Sequence, residues 1–494
     1  MASVIGWMNG IVWSTALVFL FLGIGIYFSF ATRFVQLRYL KEMIKLTFQR
    51  QKSETGVSSF QSISMSVGSR VGSGNVAGVA VAIALGGPGA VFWMWVMAIL
   101  GAATSFVETT LTQVYKRKVD KDYRGGPPFY MEKGLKNKGF ASLFAIILII
   151  SIGVFYPGIQ ANTIALSMED AFGISPAITG FVVIALLAIL IMGGVKRIAK
   201  AAEIMVPFMA IGYVVVALII LSLNYSRIPE VLSLIVSSAL GFNATFGGAI
   251  GTAIAMGVQR GAYSNGAGVS TETFESGAAE VSHPAKQGLV QSFAVYIDTL
   301  VICSATAFMI LLTGMYDVNF TEGADAASNM SAVEPSLYTQ MAVESQITNF
   351  GAPFLAIAIF FFCFTCIIAF FYKAETCLIY LMNNKKMKWS RYALIFTVLG
   401  VSYFGSVKAS ALGWAMGDLG LGILAWVHLI TLIFLTKPAI RVLKDYESQL
   451  KEGLDPVFDP KKAGIEGAEF WEQYVDSNTP NIEELNDKVK TLPY

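Results

Sequence analysis

Charge is what this sequence has least of. Asp, Glu, Lys and Arg supply 14% of its 494 residues, against about 25% in ordinary soluble domains. Apolar side chains fill the deficit at 55%, and the mean hydropathy of +0.61 makes lipid the solvent for most of the chain. The formal net charge is only +2 and no Lys/Arg run forms a patch, which excludes a nucleic-acid partner. Histidine is almost absent, at His283 and His428. The four cysteines, Cys303, Cys363, Cys366 and Cys377, stand in apolar stretches with no metal-ligand spacing to either histidine, so they read as small buried hydrophobes. With no clustered carboxylates either, no catalytic constellation can be assembled, and an enzyme is excluded. Residues 1–32 contain no Lys or Arg. The segment 10–31 therefore lacks the positive region of a signal peptide and reads as a retained first span.

What is present is a succession of apolar stretches long enough to cross about 30 Å of hydrocarbon. They run near 10–31, 88–115, 141–168, 177–194, 203–223, 287–314, 350–372, 391–411 and 415–436, and two more, near 59–86 and 244–262, are broken by Gly and Ser. Counting both gives an all-α polytopic membrane protein of about eleven transmembrane helices. Loop charge sets the orientation. Arg33, Arg38, Lys41, Lys45, Arg50 and Lys52 place the first connection in the cytoplasm and the N-terminus outside. The loops 116–138 and around Lys196, Lys286 and Lys385 then fall inside, whereas 315–349, with acids and no Lys or Arg, falls outside. Dropping either broken segment inverts every later loop, so both are expected to cross. The tail from about 437 is polar, charged and cytoplasmic.

The first broken segment reads Gly68-Ser69-Arg70-Val71-Gly72-Ser73-Gly74-Asn75. Its glycines cost a helix interior about 1 kcal/mol each. The second reads Thr245-Phe246-Gly247-Gly248-Ala249-Ile250-Gly251-Thr252. With the extra first span set aside, each break opens a five-helix set, and the two sets begin on opposite sides of the membrane because five is odd. That divides the chain into residues 1–56 (extra helix and basic connection), 57–223 and 224–436 (inverted repeats) and 437–494 (tail). Interrupted helices at corresponding positions of inverted halves point to a midplane binding site. Half-helix N-termini there attract an anion, and unwound carbonyls hold a cation.

Several longer motifs are similar to those of one family. Val71-Gly72-Ser73-Gly74-Asn75-Val76-Ala77-Gly78, Ala84-Leu85-Gly86-Gly87-Pro88-Gly89-Ala90, Gly125-Gly126-Pro127, Gln160-Ala161-Asn162, Arg260-Gly261-Ala262-Tyr263-Ser264-Asn265 and His283-Pro284-Ala285-Lys286-Gln287-Gly288 resemble the alanine/glycine:cation symporters. The resemblance spans roughly residues 10–440. It implies a fold of the leucine-transporter (LeuT) type, a 5+5 inverted repeat preceded by one extra helix, in a plasma-membrane carrier that couples sodium entry to uptake of a small neutral amino acid. Alanine or glycine is the expected substrate, with serine and glutamine also open. The sequence departs from the family at Gly266, where a Glu is usual, along residues 269–276, at Phe370, where a Trp is usual, and at Thr365-Cys366, where Ser-Thr is usual.

By the same resemblance the sodium ion would take the carbonyls of Gly68 and Val71 and the hydroxyl of Thr365, although that hydroxyl alternatively bonds its own helix. Thiol sulfur is too soft to be a good sodium ligand, which puts Cys366 in the pocket wall. The substrate carboxylate would meet the helix start at Ser73, Gly74 and Asn75. Gln160 either binds substrate or bridges helices. The carbonyls of Phe246, Gly247 and Gly248 are candidates for the ammonium, and Phe246 and Phe370 for the walls. Arg70, Glu108, Asp298, Lys373 and Glu375 are costly in lipid and are expected to be paired, with Arg70 joined to Asp298 or Glu108. A proton-coupled carrier is the alternative reading, with Asp298 as its titratable group.

Overall fold

The computed structural model describes residues 2–49, 56–119, 122–242, 250–318, 337–382, 387–408 and 411–474, and all but a small antiparallel pair, Arg117–Val119 against Asp122–Arg124, is helix and connection. Seven of the described helices are long and apolar enough to cross a membrane. Of the other expected spans, the first Gly-rich segment is cut in two and Pro176–Ile191 has only 16 residues. The first span differs from expectation, since Ala2–Val12 is already helical and joins Thr15–Ala31 through a short turn.

The elements that build the interior are α1 (Thr15–Ala31), α2 (Ser59–Arg70), α3 (Ser73–Gly86), α4 (Gly89–Val114), α5 (Lys138–Phe172), α6 (Pro176–Ile191), α7 (Gly194–Leu223), α8 (Ile250–Asn265), α9 (Pro284–Thr313), α10 (Gly351–Met382), α11 (Met387–Val407), α12 (Ala411–Phe434) and α13 (Thr436–Lys451). α4 packs along α8 and α9, α5 along α10 and α11, and α7 along α2 and α10. The half-helices α2, α3 and α8 thus lie between two scaffolding groups.

The burial pattern is that of a protein solvated by lipid. Phe208 and Phe396, on α7 and α11, are each 72% exposed, while Glu108, Asp298 and Lys373 are fully buried. Ionisable groups inside a bundle face its interior because hydrocarbon cannot solvate them. α2 is tied to α9 through amides and hydroxyls: Gln287 donates to Ser59 at 2.9 Å, and Ser66 donates to Gln291 at 2.5 Å. Such polar pairs hold membrane helices together where hydrophobic burial offers no driving force.

The tail is not merely a solvated appendage. Up to Tyr474 it docks on the bundle, with α13 burying Val442, Leu443 and Tyr446 and the segment beyond it burying Trp471. Trp471 donates to the Gln113 carbonyl at 2.8 Å, and Lys286 reaches Asp455 at 2.5 Å. The Lys116 ammonium, outside the spans, lies over the rings of Tyr123, Phe470 and Trp471, and burial lowers its pKa to about 7.

Candidate functional site

The first break is only two residues wide. α2 ends at Arg70, Val71 is extended (φ −75°, ψ 94°), Gly72 takes φ −144° and ψ −147°, and α3 begins at Ser73. The tightness has a cause: Gly72 has Cys366 Sγ 2.4 Å and Gln160 Oε1 3.1 Å from where a Cβ would stand, so only glycine lets the three meet. The start of α3 is capped by side chains. Gln160 Oε1 accepts the Ser73 N–H at 3.1 Å and its amide donates to Ser73 Oγ at 2.9 Å. Asn75 Oδ1 accepts the Gly72 N–H at 3.1 Å.

On the α10 side of this break the residues expected at the ion site come together. Thr365 Oγ1 lies 2.8 Å from the Gly68 carbonyl and 3.0 Å from Phe362 O, three residues back on its own helix. The Cys366 thiol faces the carbonyls of Gly68, Ser69 and Val71 at 3.4, 3.1 and 3.6 Å. Beside them a small cavity of about 10 Å³, lined by Gly68, Ala202 and Thr365 among others, has room for about one water-sized sphere.

A second cavity, of about 30 Å³, borders the break at Gly72. Gly72, Gly74, Gln160, Cys366 and Phe370 line it, as do Tyr156, Tyr263 and Glu272. That is space for about two or three water-sized spheres, which limits any occupant to a small molecule. The Tyr263 ring closes over Gly74, 2.8 Å from the place of a Cβ there. Asn75 turns away from this cavity: its amide donates to Asp298 at 2.6 Å and its N–H to Gly72 O at 3.2 Å. Phe246, Gly247 and Gly248 lie outside the described residues.

Of the second break expected from the sequence, residues 245–249 lie outside the described residues, and a further interruption stands after it. From Ile250, α8 is unbroken to Asn265, and the chain leaves the helix at Gly266. Gly266 and Gly268 take φ +66° and +83°, a region that costs other residues about 1–2 kcal/mol. Residues 266–278, read from sequence as part of a cytoplasmic loop, are buried in the bundle. Their far end pairs with the start of α2, with Val57 N–H on Ala278 O at 3.0 Å. A Cβ at 266 would stand 2.6 Å from Glu272 Cγ, so the departure from the family at 266 leaves space that Glu272 fills.

This segment carries the charge of the site. Lys373 Nζ reaches Glu272 Oε1 at 3.1 Å, Glu275 Oε1 at 3.7 Å and the Ser69 hydroxyl. Arg70 does not pair with Asp298 or Glu108 as expected. Its guanidinium donates to Asn265 O at 2.8 Å, Ser66 Oγ at 2.8 Å and Gln291 Oε1 at 3.1 Å, because α2 points it at α8 and α9. Asp298 instead accepts from Asn75, Ser264 and Thr299, at 2.6, 2.7 and 2.8 Å. Glu375 is held by Arg124 and Arg391, at 2.9 and 2.6 Å. Glu272 escaped the sequence reading, and the one signal for it was the atypical stretch 269–276 in which it falls.

Among the described residues no group of His, Cys, Asp and Glu is arranged to hold a metal ion. Comparison with known proteins agrees with a carrier. The chain is 49% identical to a sodium/proton-dependent alanine carrier protein of Bacillus sp. (strain PS3), over 87% of this chain and 97% of that one. It is 33% identical to the sodium/alanine symporter AgcS of Methanococcus maripaludis, over 90% and 97%. Among solved structures, a variant of the Eremococcus coleocola manganese transporter matches with TM-score 0.50 at 13% identity, over 83% and 84% of the two chains, which speaks to fold alone. The model of the sodium:alanine symporter family matches residues 1–460. This chain therefore belongs to the sodium:alanine symporter family and is a membrane transporter, not an enzyme.

Proposed function

We propose that the protein couples sodium entry to uptake of a small neutral amino acid, alanine or glycine first and serine or glutamine second, by alternating access. Sodium is cargo, held by the Gly68 and Val71 carbonyls and the Thr365 hydroxyl. The substrate lies in the neighbouring cavity, with its carboxylate toward Ser73, Gly74 and Gln160 and its side chain toward Cys366 and Phe370, while Asn75, turned to Asp298, braces the start of α3. Phe246, Gly247 and Gly248 stay in the proposed wall and ammonium site. The observation that supports this reading is the meeting of Thr365 Oγ1 with the Gly68 carbonyl, beside a water-sized space otherwise lined by apolar side chains, close in sequence to the 30 Å³ cavity at Gly72. The architecture that goes with it is eleven spans in a LeuT-type 5+5 repeat, residues 57–223 and 224–436, after the extra helix of residues 1–56. The N-terminus lies outside, the 437–494 tail in the cytoplasm, and the carrier in the cell membrane.

In proteoliposomes, alanine uptake should follow an inward sodium gradient. Uptake that is unchanged when choline replaces sodium, and collapses with a proton uncoupler, contradicts the assignment. A second reading, in which protons share the coupling, has its own support in Glu108 rather than Asp298. Glu108 accepts one N–H, from Gly268 at 3.1 Å, its Oε1 has no partner among the described residues, and His428 Nδ1 stands 3.7 Å away while facing Gly268 O at 2.8 Å. The relative from Bacillus sp. is itself named for both ions.

A further inference from the structure

The substrate cavity contains one acid. Glu272 is 4% exposed and lines the space together with Gly74, Gln160 and Phe370. Its Oε1 is taken by Lys373 at 3.1 Å, whereas its Oε2 is buried with no hydrogen-bond partner among the described residues. A buried carboxylate oxygen left unpaired costs free energy that an arriving donor recovers. The cavity wall is polar in two places, with the N-terminus of α3 and Gln160 on one part and the Glu272 carboxylate on another.

We infer that Glu272 Oε2 receives the ammonium group of the transported amino acid, making this carboxylate a specificity-determining residue that selects zwitterions over simple carboxylates. The inference rests on the amino-acid reading above. Glu272 meets the cavity because Gly266 has no side chain and bends the chain back, placing the Glu272 stem over the end of α8. Lys373 holds the carboxylate through Oε1, so the group is oriented before substrate enters, and little ordering remains to be done on binding.

The test uses the purified full chain in nanodiscs, with L-alanine and propionate as probes, the second having the carboxylate but no ammonium. Folding of each variant is checked by the shift in unfolding temperature that sodium alone produces. Glu272→Gln should weaken alanine binding on the order of tenfold or more, the cost of losing a charged hydrogen bond. It should leave half-saturating sodium unchanged and should not weaken propionate. Should Glu272→Gln fail to fold, Glu272→Asp keeps the charge opposite Lys373 but withdraws the carboxylate by one methylene, and alanine affinity should still fall while propionate does not. Equal alanine affinity in a folded variant and the wild type overturns the inference and leaves the amino-acid reading standing. A loss confined to sodium binding also overturns it, by making Glu272 an ion ligand. A wild type that binds no amino acid in sodium removes the reading and the inference together.

Discussion

The two interruptions differ in how they hold polarity in a low-dielectric interior. The first, at Val71 and Gly72, is two residues wide and presents carbonyls, hydroxyls and amides: Gly68 O, Thr365 Oγ1, Gln160, Asn75. The second, from Gly266 to Ala278, is a buried stretch with one short helical turn, Thr273–Gly277, that brings Glu272 and Glu275 against Lys373. Neutral oxygens at short range suit a weakly bound ion that must leave again. Fixed charge suits a partner that carries charge of its own, or a lock that must be broken. One helix, α10, serves both: Thr365 and Cys366 face the first break, and Lys373, two turns on, faces the second.

The largest effect should come from breaking the charged side. Lys373→Met leaves Glu272 and Glu275 without a cation within bridging distance, and removing one partner of a buried pair costs about 3–5 kcal/mol. The expected outcome is a steep fall in unfolding temperature or in yield of folded protein, read in detergent. A variant as stable as wild type would mean that the second interruption does not depend on its ion pairs.

A smaller effect should follow from crowding the place where the two interruptions meet. Gly74→Ala puts a methyl 2.8 Å from the Tyr263 ring, an overpacking of about 1–3 kcal/mol. Because Tyr263 lines the cavity, alanine affinity should drop more than stability does. Unchanged binding isotherms would show that Tyr263 moves aside freely and is not a fixed wall.

Much of the first interruption was legible in the sequence, and little of the second. Glycine density with Ser, Arg and Asn at mid-span marks a broken helix whatever surrounds it, so residues 68–75 stood out. Gln160, Thr365, Cys366 and Phe370 followed from family motifs, and the structure gathers them around that break. Glu272 and Lys373 are about a hundred positions apart, and no spacing rule joins them before the fold does. The segment 266–278 reads as a loop because its Gly, Ser, Thr and Glu lack apolar periodicity; burial makes sense of it only once Lys373 is seen to neutralise its acids. Arg70 was misassigned for a related reason. A count of charges predicts ion pairs, whereas the hydroxyls and carbonyls of neighbouring helices are invisible as acceptors until their directions are known.

The central claim is that the first break holds the ion and the cavity beside it the substrate, and one set of titrations separates them. Half-saturating sodium and alanine affinity are to be measured side by side for wild type, Thr365→Ser, Thr365→Val and Glu272→Gln. Thr365→Val should raise half-saturating sodium about tenfold, the loss of one charge-assisted contact. Its alanine affinity should fall only through the coupling of the two sites. Thr365→Ser keeps the oxygen and should resemble wild type, and Glu272→Gln should move alanine and not sodium. Equal sodium dependence in wild type and both Thr365 variants would remove that hydroxyl from the ion site and contradict the account.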